Sequence, residues 1–176
     1  MNRYLKTTVA SLFLLGTLGA LKGCSTADVL GSHLLKQVLK PDPTVIQAKV
    51  KVSEDVNPDS RGRPSPVKTR FYLLESTSVF QSADFFELKG QDRELLSDDL
   101  KKREEKVFKP GEEETVELSI PAEETPEDGK LYLGVTVGYW DIDHSQWRAE
   151  REVEVQETTE VVIRIDRSEV SIKVVD

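Results

Sequence analysis

The clearest strand in the sequence spans residues 131–139, which read LYLGVTVGY. Apolar side chains occupy every second position from Leu131 to Tyr139, and this period of two is typical of a strand with one buried face. Gly134 and Gly138 fall on the other face, where the missing side chain would admit a close neighbour. The segment therefore predicts a strand that is packed on one face and closely approached on the other.

Strand-like segments recur on both sides of this one, and turns rich in proline, glycine and aspartate separate them. These segments are residues 46–52, 67–74, 105–108, 116–120, 147–155, 161–165 and 170–174. Eight short strands indicate an all-β fold. A lone sheet cannot bury both of its faces, so we expect a two-sheet antiparallel β-sandwich.

A short helical insertion is expected between the early strands, at about residues 76–100. Ser76 or Ser78 could cap a helix there. One side of that helix would carry Val79, Phe80, Ala83 and Phe86. The segment is too small to form a hydrophobic core of its own, so we expect an insertion and not a second domain.

The N-terminus has the features of an export signal. Arg3 and Lys6 precede an apolar run from Val9 to Leu21, which is too short to span a bilayer but matches the apolar core of a signal peptide. The run closes with Leu21-Lys22-Gly23-Cys24 and resembles a bacterial lipobox, although Lys22 departs from the small or apolar residue usual there. The alternative is an ordinary secretory peptide beside an unmodified cysteine.

The resulting domain prediction has three parts. Residues 1–23 form the signal peptide, residues 24–43 comprise the acylated Cys24 and a tether, and residues 44–176 form the sandwich. Ser25 fits the outer membrane, since aspartate at that position favours retention in the inner membrane. Apolar residues at helical spacing between Leu30 and Leu39 indicate either a short amphipathic helix or a solvated linker.

Composition excludes several classes of function. The net charge of −8 disfavours nucleic acid and anionic lipid surfaces as partners. The charged residues within 1–23 are all basic, so removal of this segment would make the chain more negative. Cys24 is the only cysteine, so its acylation would leave no thiol for a disulfide or for catalysis. We therefore expect attachment to the membrane by acyl chains and not by a basic patch.

The sequence contains no convincing active site. Asp141, Asp143 and His144 could ligate a metal, but aspartate is also common in turns for its local hydrogen bonds. Pairs of glutamates, as in Glu112–Glu114 and Glu123-Glu124, indicate solvated acidic loops. We expect no enzymatic activity, no cofactor, no metal and no small-molecule substrate.

The segment between the first two strands is a candidate binding loop. Its residues are Asn57, Pro58, Asp59, Ser60, Arg61, Gly62, Arg63, Pro64, Ser65 and Pro66. Prolines reduce the entropy lost on binding, and arginine favours interfaces through bidentate contacts. An exposed loop that is merely stiffened by proline is the alternative.

With this loop the sequence resembles the TssJ family, also called VasD or SciN, which are outer-membrane lipoproteins of bacterial type VI secretion systems. The similarity extends from about Thr44 to the C-terminus and includes the N-terminal cysteine. The matching segments are Asn57-Pro58-Asp59, residues 62–67, Tyr72-Leu73-Leu74, Phe80, residues 83–88, Pro110-Gly111 and Trp147-Arg148.

The resemblance implies a transthyretin-like sandwich with a helical insertion and a non-enzymatic role. It also implies an outer-membrane lipoprotein whose domain faces the periplasm. Its partner would be the periplasmic C-terminal region of the inner-membrane subunit TssM, which works with TssL. In that family the loop between the first two strands is implicated in holding TssM, a role that falls here on residues 57–66.

Two other functions are possible for such a fold. Hydroxyisourate hydrolases share the transthyretin-like fold, but they end in a Tyr-Arg-Gly-Ser tail and carry catalytic histidines. This chain ends at Lys173-Val174-Val175-Asp176 and has no histidine in its strands. A periplasmic carrier of a small ligand or glycan would need a pocket with aromatic walls, for which Tyr132 and Trp140 are candidates.

Overall fold

Every segment in which apolar residues alternate forms a strand in the computed structural model, which describes residues 41–126 and 129–175. The strands are β1 (Thr44–Val52), β2 (Val67–Leu74), β3 (Leu100–Phe108), β4 (Glu113–Ile120), β5 (Leu131–Gly138), β6 (Arg148–Val153), β7 (Thr158–Ile165) and β8 (Val170–Val174). They form one sheet in the order β4-β1-β7-β8 and a second in the order β3-β2-β5-β6. The predicted two-sheet β-sandwich is confirmed.

One pair of neighbouring strands is parallel. β1 runs alongside β7 in the same direction, from Val45 opposite Thr158 to Val52 opposite Ile165, whereas all other strand pairs in the two sheets are antiparallel. Alternation reports which face of a strand is buried and carries no information about direction, so the sequence did not predict this pair. Parallel neighbours need a long connection, which the intervening strands provide.

The main core lies between the two sheets. The alternating positions of β5 point into it, and Leu131, Leu133, Val135 and Val137 are all fully buried. Ile46 and Val50 of β1 face them from the opposite sheet. Each strand thus buries the face that its alternation predicts.

The helical insertion covers the outer face of the second sheet and forms a separate small core there. It consists of α1 (Ser78–Ser82) and α2 (Phe85–Leu95), between β2 and β3. The buried residues of this second core are Tyr72, Leu74, Phe80, Ala83, Leu88 and Leu96. The expected insertion is therefore present, but it ends before Leu100, where β3 already begins.

The expected helix is divided into two, and its predicted cap is not observed. α1 begins at Ser78, but its N-cap is Thr77, which makes no side-chain capping hydrogen bond. α2 is capped by Asp84, whose carboxylate accepts a hydrogen bond from the backbone N–H of Glu87 (2.8 Å) while Glu87 accepts one from the N–H of Asp84 (2.9 Å). Ala83 is extended and ends α1, so helical spacing does not continue from one helix to the next. Phe86 consequently points outward, 64% exposed, and does not join Phe80.

A buried carboxylate fastens α2 to the sheet. Asp92 Oδ2 accepts hydrogen bonds from Tyr72 Oη (2.9 Å), Arg70 Nη1 (3.1 Å) and Arg103 Nε (2.7 Å). Burial alone would raise the pKa of Asp92, but these hydrogen bonds and the two arginine charges outweigh it, and the pKa lies below its usual value. Hydrogen bonds from Lys68 and Arg70 likewise lower the pKa of Glu105, to about 2.

Arginine side chains also donate to backbone carbonyls of both helices. Arg70 Nη1 donates to the carbonyl of Leu88 at 2.8 Å, and Arg148 Nη1 donates to the carbonyls of Phe80 (2.9 Å) and Ala83 (2.8 Å). The last carbonyls of a helix lack partners within it, so Arg148 completes the C-terminal end of α1. The guanidinium of Arg148 in turn lies over the ring of Trp147.

Gly134 is the position where the insertion approaches the sheet most closely. A Cβ built on Gly134 would lie 3.1 Å from Cζ of Phe80 and 3.3 Å from Cδ1 of Leu74, both fully buried. At Gly138, on the same face of the same strand, the nearest contacts would be 3.5 Å or longer. The close approach that the sequence predicts at the glycines of β5 therefore occurs at Gly134, where the neighbour is Phe80.

We predict that Gly134→Ala lowers the free energy of unfolding by about 1–3 kcal/mol relative to Gly138→Ala, because the added methyl group overpacks against a ring that cannot move away. Urea unfolding of the two variants measures the difference. Shortening the ring with Phe80→Leu should recover part of the loss in the Gly134→Ala background. Equal stabilities for the two alanine variants would contradict the packing described here.

Candidate functional site

Three connections meet at one end of the sandwich, and we call this surface the three-loop end. It consists of residues 53–66 between β1 and β2, residues 139–147 between β5 and β6, and residues 166–169 between β7 and β8. Backbone hydrogen bonds join them: Asn57 N–H to the carbonyl of Arg167 and Gln146 N–H to that of Ser168, both at 2.9 Å. The candidate binding loop therefore lies within a connected surface.

Asn57 closes the base of the candidate loop. Its Nδ2 donates to Ser65 Oγ (3.0 Å) and to the carbonyl of Pro66 (3.1 Å), while its Oδ1 accepts from the backbone N–H of Trp140 (2.5 Å). The residue is 7% exposed and has a φ of +48°, a conformation that asparagine tolerates better than most residues. One amide side chain thus joins both ends of the loop to the β5–β6 connection.

Asp59 organises the tip of the loop. Its Oδ1 accepts from the backbone N–H groups of Arg61 (2.8 Å) and Arg63 (3.0 Å), and its Oδ2 accepts from Arg63 Nε (2.9 Å) and Nη2 (2.7 Å). The side-chain hydrogen bonds from Arg63 hold the pKa of Asp59 below its usual value. Gly62 takes a φ of +76° in the turn. The tip is therefore shaped by its own hydrogen bonds.

The structure separates the two arginines that the sequence grouped together. The guanidinium of Arg63 is engaged by Asp59. Arg61 is exposed, and its guanidinium makes no hydrogen bond or ion pair within the described part of the chain. Arg63 therefore shapes the loop, and Arg61 is available to a partner.

The loop is also less exposed than the sequence suggests. Asn57 is buried, and Pro58, Asp59 and Ser65 are half-buried, whereas Ser60 to Pro64 and Pro66 are exposed. The reason is the hydrogen bonding around Asn57, which draws the base of the loop against the neighbouring connection. Only the tip offers side chains freely to solvent.

A depression beside the loop contains Trp140, which the sequence suggested for a ligand pocket but not for the partner-binding loop. Pro58 and Asp59 of the loop line it together with Trp140 and His144 of the β5–β6 connection. Trp140 is 70% exposed. The alternation of β5 places it on the face opposite to Tyr139, and this exposure was the available signal in the sequence.

The suggested metal ligands do not converge. His144 Nδ1 pairs with Asp141 Oδ1 at 2.8 Å, and this hydrogen bond raises the pKa of His144. Within residues 41–126 and 129–175, no three His, Cys, Asp or Glu side chains are grouped as a metal site would require.

A carrier for a small ligand would need an enclosed apolar pocket. The depression at the three-loop end is an open groove with charged walls. A second groove, between α2 and the sheet, is lined by Lys68, Arg70 and Lys89 together with Phe85 and Leu88. Neither provides the enclosed aromatic walls expected of a carrier.

Several predicted features lie outside the described residues. These are the signal peptide at 1–23, Cys24, the helix or linker between Leu30 and Leu39, and part of the acidic loop at Glu127 and Asp128. None of the helices in the described residues is both long and apolar enough to cross a bilayer.

Comparisons with known proteins agree with the fold. Residues 44–168 match the family described as type VI secretion lipoprotein, VasD, EvfM, TssJ. The crystal structure of the type VI lipoprotein TssJ1 from Pseudomonas aeruginosa is 27% identical, with a TM-score of 0.65, over 77% of this chain and 98% of that one. No curated protein matches the sequence.

Two more distant structures share the fold. Lip from Serratia marcescens, described as a membrane-bound component of the type VI secretion system, is 23% identical over 77% of this chain and 99% of its own, with a TM-score of 0.64. A chain in a structure described as the TssM C-terminal domain from EAEC is 22% identical over 73% of this chain and 99% of that one, with a TM-score of 0.58.

We predict that Asn57→Ala lowers the free energy of unfolding by about 1–3 kcal/mol, because it removes a buried hydrogen-bonding group and leaves partners unsatisfied. Asn57→Gly relieves the positive φ but still lacks the amide, so it should remain destabilised. Arg61→Ala should change stability by less than about 0.5 kcal/mol, as is usual for an exposed side chain. Thermal unfolding followed by circular dichroism tests all three, and a neutral Asn57→Ala would show that the base of the loop is not structural.

Proposed function

The chain belongs to the type VI secretion lipoprotein family of TssJ and VasD, and from this we propose that it anchors the type VI membrane complex to the outer membrane. The domain faces the periplasm and binds the periplasmic C-terminal region of TssM. TssM works with TssL in the inner membrane, so the complex links the two membranes. This function requires a protein-binding surface on the sandwich and a lipid anchor in the N-terminal segment.

The observation that supports this proposal best is the hydrogen-bonded loop at residues 57–66. Asn57 fixes its base and Asp59 fixes its tip, so the loop has a defined shape before any partner arrives. Binding to such a loop costs less conformational entropy than binding to a mobile segment. Arg61 is held at the exposed tip, where its guanidinium can pair with a carboxylate of the partner.

The lipid anchor is assigned to Cys24. Its acyl chains would hold the protein in the outer membrane, and residues 25–43 would give the domain reach. Two or more acyl chains give stable attachment where one gives only reversible binding. Several copies around one secretion complex would add avidity without any new contact.

We predict that Arg61→Glu raises the dissociation constant for the TssM periplasmic C-terminal region at least about tenfold, since it replaces a charge-assisted contact by repulsion. Binding of the full-length chain in detergent is measured by biolayer interferometry. Arg93→Glu on α2 is the matched control, because Arg93 is also exposed and the change in net charge is the same. Its dissociation constant should stay within about twofold of the wild-type value.

The possible outcomes distinguish an error in the proposed partner from an error in the proposed interface. Absence of saturable binding by the wild-type chain would contradict the proposed partner. Binding that responds equally to both charge reversals would keep the partner and move the interface away from the loop.

We predict that Cys24→Ser abolishes membrane association and leaves the fold unchanged, because no acyl chain can then be attached. Fractionation of cells that produce each variant measures the membrane-bound share, and circular dichroism of the purified chains checks the fold. If the serine variant sediments with membranes as the wild type does, the anchor lies elsewhere in the chain.

A further inference from the structure

Trp140 is the most exposed large apolar residue at the three-loop end. Its side chain is 70% exposed, although the residue before it, Tyr139, is buried. Four large apolar residues in the described part of the chain are exposed: Phe86, Val107, Trp140 and Val175. Of these four, Trp140 alone lines the depression beside the candidate loop.

The backbone of Trp140 is fixed by the same residue that closes the loop. Its N–H donates to Asn57 Oδ1, and the adjacent strand end is held by a 2.7 Å hydrogen bond from Val137 N–H to the carbonyl of Trp147. Trp140 cannot move away from the loop without breaking the hydrogen bonding of Asn57. A partner that binds the loop therefore meets the backbone of Trp140 in a fixed position, with the exposed indole attached to it.

We propose that Trp140 is the apolar anchor of the partner-binding surface, which then comprises the 57–66 loop and this indole together. This inference rests on the proposed function, and it specifies the chemistry of the contact. The partner region of TssM presents an apolar pocket for the indole, with a carboxylate at its rim for Arg61. Pro58, Asp59 and Trp140 line the same depression, so a partner side chain that fills it contacts both loops.

The energetics of interfaces favour this assignment. Tryptophan and arginine are the residues most enriched at positions that dominate binding, and an indole buries a large apolar area while losing little conformational freedom. Arg61 and Trp140 provide one of each in neighbouring loops. The hydrogen bonds of Asn57 and Asp59 arrange them before binding.

The chain contains two tryptophans, and this allows a direct test. The full-length chain is labelled with 5-fluorotryptophan in detergent and titrated with the unlabelled TssM periplasmic C-terminal region, and fluorine NMR follows both rings. Trp140→Phe assigns the resonances. The Trp140 resonance should shift with saturation, whereas that of Trp147, which packs against Phe85 at 5.3 Å between ring centroids, should not.

Affinities measured on variants complete the test. Trp140→Ala should raise the dissociation constant at least about tenfold, and Trp140→Phe should raise it less because an aromatic ring remains. Phe86→Ala is the control, since Phe86 is similarly exposed but lies on α2, and it should stay within about twofold.

Each result leads to a distinct conclusion. If the wild-type chain does not bind the TssM region at all, the proposed function fails. If it binds while the Trp140 resonance stays unshifted and Trp140→Ala binds within twofold of wild type, the function stands and the anchor role of Trp140 is overturned. The resonance is read on the wild-type fold, so the test holds even if the alanine variant is unstable.

Discussion

The buried carboxylate of Asp92 is the contact that keeps the helical insertion in one place. Tyr72, Arg70 and Arg103 donate to one of its oxygens from two adjacent strands, and Arg70 also holds the end of a helical turn at Leu88. Removing one member of such a group leaves an uncompensated buried charge, which is strongly destabilising. The insertion therefore acts as a fixed cover on the outer face of one sheet, away from the three-loop end.

The sequence predicted the sandwich because burial of one strand face leaves a period of two in the chain. Where the structure departs from expectation, the cause is a local hydrogen bond or a contact with a residue distant in the chain. One helix begins at Ser78, within the expected range, but Asp84 and Glu87 cap each other's backbone and begin a second helix at Phe85. Helical spacing continued across Ala83 predicts Phe86 on the buried side. The helix ends at Ala83, and Phe86 is exposed.

The candidate site was predictable in composition but not in its internal contacts. Prolines, glycine and arginines marked residues 57–66 as a stiff, exposed loop, and the tip has that character. The sequence did not indicate that Arg63 would be engaged by Asp59, because any arginine in a loop has the same composition signal whether it is free or paired. It also did not connect Asn57 with Trp140, since a hydrogen bond across such a separation in the chain follows from topology alone.

The parallel pairing of β1 with β7 sets an order of events during folding. β1 lies in the interior of its sheet, between β4 and β7, and one of its edges has no backbone partner until the seventh strand is present. Contacts between such distant segments form slowly, because a long loop must close first. A chain that emerges from its N-terminus therefore exposes an apolar strand with an unpaired edge until Ile165 has been synthesised, and such an edge is a target for chaperones or for misassociation.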